Sequence, residues 1–175
     1  DYDPMNPLAN KAFALTESDG PDGYTLDSIS CDGGTLNDAV DPPTITLGLD
    51  EDVTCTFTND DVAPGLALEK KVVNDTGGEA KASEWTLSAV DADGVAFDGQ
   101  PGVYQLIESG GPAGYRLTGV ECEGGSLEKV GDDYFVTIAL GESVECTFTN
   151  DDIAPSLTLV KLVENDQGRT AGSAD

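Results

Sequence analysis

The heptad Cys-Thr-Phe-Thr-Asn-Asp-Asp occupies residues 55–61 and recurs at residues 146–152, 91 positions later. A period of that length is one small domain rather than one turn of a solenoid. Held at this offset, the rest of the chain repeats without a gap. LTES at 15–18 falls on LIES at 106–109, GPDGY at 20–24 on GPAGY at 111–115, CDGG at 31–34 on CEGG at 122–125, and APGLAL at 63–68 on APSLTL at 154–159. The expected organisation is a partial unit at 1–62, a complete unit at 63–152, and the first strand of a further unit at 153–175. The front unit has no counterpart of WTLSAVD, residues 85–91, which reads as a strand.

Composition narrows the function classes. The 175 residues carry a formal charge of −26, with eight Lys and Arg in all. That balance argues against nucleic acid and anionic membranes as partners. It suits a solvated extracellular surface, a saline habitat or calcium binding. Histidine is absent, which removes histidine-based triads and histidine-ligated metal sites. No apolar run approaches a bilayer span. No signal-peptide pattern is present, which implies a mature chain or an excerpt of a longer one. Aromatic residues are 6%, so each unit has a modest core that covalent staples would support.

The four cysteines sit at matching places, Cys31 and Cys55, then Cys122 and Cys146, each pair 24 residues apart. One disulfide per unit is the simple reading, and it implies an oxidising compartment. A zinc site of all four thiolates is the alternative, although zinc ligands usually come in close CxxC pairs and none occurs here.

Short apolar alternations recur between Gly and Pro turns, and helix signals are poor. In the complete unit the pattern predicts strands near 66–73, 85–90, 102–108, 115–122, 134–140 and 143–150, with one more hidden near 95–97. The expected fold is all-β, a tandem of Ig-like or prealbumin-like antiparallel β-sandwiches.

Side chains alternate across a strand. Leu66, Leu68, Lys70 and Val72 share one face, Tyr104, Leu106 and Glu108 another, and Val144, Cys146, Phe148 and Asn150 a third. Each apolar face carries one polar residue at or near its end. These residues either reach water at strand ends or meet in the interior. If they meet, burial favours the uncharged forms of the amine and the acid. A neutral Lys70 can then attack the Asn150 carboxamide while Glu108 carries the proton, expelling ammonia and leaving an isopeptide bond. That is a single self-modifying event and not an enzyme activity.

The stretch YQLIESGGPAGY at 104–115 resembles the Y-x-L-x-E-x-x-x-P-x-G-Y box of CnaB/SpaA-type, prealbumin-like domains of bacterial surface adhesins and pilins. The resemblance spans the complete unit. It implies a β-sandwich of a stalk or shaft. It also implies an intramolecular Lys–Asn bond between Lys70 of LALEK and Asn150 of CTFTN, promoted by Glu108. Lys70 is preferred to its neighbour Lys71 because Lys161 repeats it in the tail, where Leu162 replaces Lys71. In the front unit Glu17 and Asn59 occupy the places of the promoter and the acceptor, but no strand supplies the lysine.

The inter-unit link reads DDVAP at 60–64 and DDIAP at 151–155. Proline stiffens such a link. The paired aspartates Asp60 and Asp61, and Asp151 and Asp152, are either solvated turn residues or calcium ligands between units, although a full set of six to eight oxygens is not legible. No other cofactor is expected.

The leading reading is a structural repeat of an extracellular fibre, stalk or pilus-like filament, whose partners are like units. A carbohydrate- or protein-binding adhesin module on the same fold is the alternative, with loops 90–100 and 127–133 as its site. An enzyme is the third: there is no phosphate loop, and a carboxylate pair of glycosidase type rests on composition alone. The ends add an expectation. The tail, 157–163, is the strand the front unit lacks. The chain is therefore either a window on a longer array or a subunit that assembles head to tail by strand addition, Lys161 joining Asn59 of a neighbour beside Glu17.

Overall fold

The computed structural model describes residues 10–164, 166 and 168. The expected start of the front unit before residue 10, and the expected further unit at 165, 167 and 169–175, lie outside the described residues. Among the described residues twelve strands form: β1 (Ala12–Ala14), β2 (Tyr24–Asp32), β3 (Thr35–Asn37), β4 (Thr44–Thr46), β5 (Thr54–Asp61), β6 (Gly65–Val73), β7 (Trp85–Val90), β8 (Gly102–Gly110), β9 (Tyr115–Glu123), β10 (Ser126–Val130), β11 (Asp133–Ile138) and β12 (Ser143–Asp152). The described residues are all-β, as the alternation requires, apart from one 3-10 turn at Ala82–Glu84.

From β6 onward two sheets face each other, ordered β6-β12-β9 and β10-β11-β8-β7. Their inward residues form one core of Ala89, Tyr104, Leu106, Val120, Val136, Ile138, Val144, Cys146 and Phe148. The pairings are antiparallel except one: β6 runs parallel to β12, with Leu66 opposite Val144, Leu68 opposite Cys146 and Lys70 opposite Phe148. β12 is thus held on both edges. Its inward face, Val144, Cys146, Phe148, Asn150 and Asp152, is buried along its whole length.

Two expectations needed revision. The loop expected at 127–133 is instead mostly β10, Ser126–Val130, paired with β11 through a tight turn at Gly131. The Glu and Lys of this short strand face solvent, which hid it from a search for apolar alternation. Conversely, 95–97 makes only an isolated bridge, Val90 to Ala96.

The front unit reproduces β8 to β12 in miniature. β1-β4-β3 corresponds to β8-β11-β10, and β2-β5 to β9-β12. Even a bulge is shared: the register slips at Leu26–Ser28 opposite β5, and at the equivalent place between β9 and β12. What the described front unit lacks is one edge strand from each sheet, the counterparts of β6 and β7. The consequence is a thin core, with Ile45 the one buried residue among 10–62. Tyr24 and Leu26 are nearly half exposed.

The units meet end to end. The N–H of Val62 donates to the Gly23 carbonyl (2.8 Å), Gly141 N–H to the Val62 carbonyl (2.7 Å) and Gly65 N–H to the Glu142 carbonyl (2.8 Å). Gly23 has a positive φ of 82°, and a Cβ there would lie 2.7 Å from the Leu140 carbonyl oxygen. Glycine therefore serves both the turn and the close approach between units.

Cys31 bonds Cys55 and Cys122 bonds Cys146, each across directly paired strands. All four thiols are consumed within their own units, which displaces the zinc alternative. The Cys122–Cys146 bridge closes a 24-residue separation, which loop-closure entropy values at ~3 kcal/mol. Replacing both cysteines by serine is expected to lower the stability of the complete unit by about that amount, read by urea unfolding. An unchanged midpoint would show that the bridge adds nothing to the packed sheets.

Candidate functional site

The site lies where β6, β8 and β12 bring their polar positions together. Leu66 and Leu68 pull the β6 face inward, and the same periodicity carries Lys70 with them. Its ammonium lies 2.9 Å from Glu108 Oε2, with the two side chains only 5% and 13% exposed. Lys70 Nζ also donates to the Phe148 carbonyl at 3.2 Å. It stands 5.0 Å above the centre of the Trp85 ring. Asn150, 3% exposed, donates from Nδ2 to Glu108 Oε1 at 2.7 Å. One carboxylate therefore bridges the amine and the carboxamide. Asn150 Oδ1 is buried without a hydrogen-bond partner, an unusual condition for a buried carbonyl oxygen. The three residues meet in the interior rather than reaching water at strand ends.

Trp85 was not singled out from the sequence. It is the chain's one tryptophan and begins β7, a strand with no counterpart among the described residues of the front unit, and that coincidence was the available signal. Its ring roofs the amine and packs edge-on against Tyr115, with centroids 5.5 Å apart. The glycines of the box serve this packing. Gly111 has a φ of +84°, and a Cβ there would come within 2.2 Å of the indole nitrogen. Gly114 takes φ +91° in the turn that delivers Tyr115.

In the front unit the equivalent pair is present. Asn59 Nδ2 donates to Glu17 Oε1 at 2.6 Å. No lysine joins it among the described residues, and the pair borders an open cleft of about 370 Å³ lined by Leu15, Tyr24, Leu26 and Pro42. Lys161 lies in the tail, outside any strand.

The aspartates separate by environment. Asp60 and Asp61 are exposed at the end of β5. Asp152 is buried, and its carboxylate accepts the N–H groups of Asp75 and Thr76 at 3.1 Å and of Gly78 at 2.6 Å. Tyr115 locks the same loop, its hydroxyl donating to Asn74 Oδ1 and accepting the Ala80 N–H at 3.0 Å. Asp75, Asp151 and Asp152 lie close enough to share a cation. Any cation there would compete with the backbone amides that already hold Asp152. The sequence offered Asp152 as a calcium candidate and gave no hint of this clamp beyond the Gly77-Gly78 pair that shapes its loop.

The family model for the prealbumin-like fold domain of SpaA type matches residues 6–57 and 61–148. The chain belongs to this family. No curated protein matches it, and neither does any solved structure. The SpaA-type assignment agrees with the two facing sheets and the box that turns β8 into β9. Among the described residues, no helix is long and apolar enough to cross a membrane.

Burial alone would raise the Asp152 carboxyl, but the amides of Gly78, Thr76 and Asp75, with the Thr76 hydroxyl, outweigh it and hold the group below the ordinary carboxylate range. The folded value thus lies below that of the unfolded chain, where an aspartate titrates at about 3.9. Its stabilisation is present above roughly pH 4 and is lost as the pH falls through the folded value. Asp152→Asn is expected to destabilise the complete unit near neutrality, and the difference from the parent should shrink as the pH is taken below about 4. Urea unfolding across that range reads it. A gap that does not vary with pH would show that the clamp acts through shape rather than charge.

Proposed function

We propose that this SpaA-type chain is a structural segment of an extracellular stalk or filament, and that its complete unit closes an isopeptide bond between Lys70 and Asn150. The buried cluster of Lys70, Glu108 and Asn150 carries the reading. A lysine amine is seldom taken into an apolar interior unless a specific partner meets it there. Here the partner also holds a carboxamide, the one neutral side chain from which an amine can displace a nitrogen.

The chemistry follows the contacts. Moving one proton from Lys70 Nζ to Glu108 Oε2 leaves a free amine and a carboxylic acid. The amine attacks Asn150 Cγ, with Trp85 and the surrounding core excluding water. Glu108 lies against Nδ2, the leaving nitrogen, and is placed to protonate it. The Cγ–Nδ2 bond breaks, ammonia departs and the Nζ–Cγ amide remains. β6 and β12 begin side by side, Gly65 opposite Ser143, and run parallel, so the bond would tie the two strands near their far ends. Load entering at Gly65 would then reach Asp152 through a covalent bridge without unfolding the sheet.

Two further observations support a load-bearing role. Disulfides clamp both units and fit an oxidising, extracellular setting. The linker is hydrogen-bonded on both sides rather than loose, which limits hinge motion between units.

Intact mass tests the bond. The complete unit is expected to weigh one ammonia less than its sequence, and Glu108→Ala should restore the full mass. A parent protein with no such loss would overturn the isopeptide reading.

A further inference from the structure

Asp152 and Tyr115 lie outside the cluster of Lys70, Glu108 and Asn150, yet their contacts bear on its geometry from two sides. The backbone pairing of β6 with β12 ends at Val73 opposite Asp151. Beyond that point the Asp152 carboxylate takes over. It accepts the N–H groups of Asp75, Thr76 and Gly78, in the segment that leaves β6, and the Thr76 hydroxyl donates to the Asp152 carbonyl at 3.4 Å. The end of β12 is thereby tied to the exit of β6. Lys70 comes three residues before Val73, and Asn150 two before Asp152. The tie therefore sits just past the two side chains that would be joined.

Tyr115 adds the second side. It is paired with Asp152 across β9 and β12. Its hydroxyl donates to Asn74 Oδ1 and accepts the Ala80 N–H, gripping the segment at two places. Gly78 passes between the two groups, and a Cβ there would strike the Tyr115 hydroxyl and come within 2.9 Å of Asp152 Oδ2. The segment then turns at Ala82–Glu84 into Trp85. The Glu84 carbonyl accepts the Gly111 N–H at 2.8 Å, and the indole lies between the Tyr115 ring and the Lys70 amine.

We propose that Asp152 and Tyr115 are positioning residues for the Lys70–Asn150 bond. They hold the end of β12 against the exit of β6, seat Trp85 over the amine, and so set how fast the bond closes. The inference rests on the isopeptide reading and adds to it the residues that act through Trp85 and the strand ends. β6 is an edge strand of its sheet, paired on one side only among the described residues, and strand ends at an edge open most easily. Attack of an amine on a carboxamide depends on holding the reacting atoms in near-attack contact, and a misplacement of about 1 Å can cost on the order of a hundredfold. The clamp restrains the one edge where such a displacement would arise, and it does so without touching Nζ, Cγ or the Glu108 carboxylate.

The test uses the 175-residue chain, synthesised cell-free and sampled into denaturant at intervals. Intact mass gives the rate of ammonia loss. Acrylamide quenching of Trp85, the chain's one tryptophan, reads its seating whether or not the bond forms. Asp152→Asn weakens the amide clamp, and Tyr115→Phe removes only the hydroxyl while keeping the ring against the indole. Val136→Ala is the control, because Val136 is buried in β11, away from the clamp and the cluster, and its truncation lowers the urea midpoint by loosening the core. Asp152→Asn and Tyr115→Phe are expected to slow ammonia loss about tenfold or more and to increase quenching. Val136→Ala should close at the parent rate with parent quenching. Clamp variants that match the parent in both readouts overturn the inference and leave the bond standing. So does slowing that follows the lost stability in all three variants, since the clamp would then act only by keeping the unit folded. A parent chain that never loses ammonia overturns the bond and the kinetic claim together, and quenching then decides the seating of Trp85 alone.

Discussion

A primary amine inside an apolar sandwich must be matched by an acceptor, and much of the complete unit is arranged around meeting that demand. Lys70 is carried inward by the alternation of its own strand. Leaving it unpaired would cost several kcal/mol. Glu108 answers it from β8, Phe148 offers a carbonyl from β12, and Trp85 covers it from β7. These contacts draw on three strands besides β6 itself, so the position of the amine records the assembly of both sheets. Asn150 is then held against the same carboxylate because β12 is the strand parallel to β6 and two residues carry it past Phe148.

The same demand explains the difference between the units. In the front unit the acidic and amide partners are present but the amine is not. The cleft between Leu15, Tyr24 and Leu26 remains open where the lysine stem and the indole lie in the complete unit. Among the described residues Tyr24 has no tryptophan to pack on, and Asp61, equivalent to the clamped Asp152, is exposed with no clamping loop around it. Each of these differences falls where the complete unit uses β6, β7 or the loop between them, which have no counterpart among the described residues of the front unit. Of its preserved features, the disulfide and the bulge lie within β2 and β5, and the Glu–Asn pair joins β5 to the segment that follows β1.

Much of this was legible in the sequence because a repeat is a controlled comparison. The 91-residue offset located the box, the cysteine pairs and the polar position on each inward face, and strand alternation then left their meeting in the interior as one of two outcomes, the other being exposure at strand ends. The limits of six strands came within a few residues. What escaped had a different physical origin. β10 is short and solvent-facing, so alternation could not mark it. The parallel sense of β6 against β12 depends on which edge a strand takes, and that is settled by the whole sandwich rather than by local pattern. The clamp on Asp152 is made by backbone amides, which have no letter in a sequence. Trp85 lies in the strand with no front-unit copy, so the comparison that exposed the other residues had nothing to set beside it.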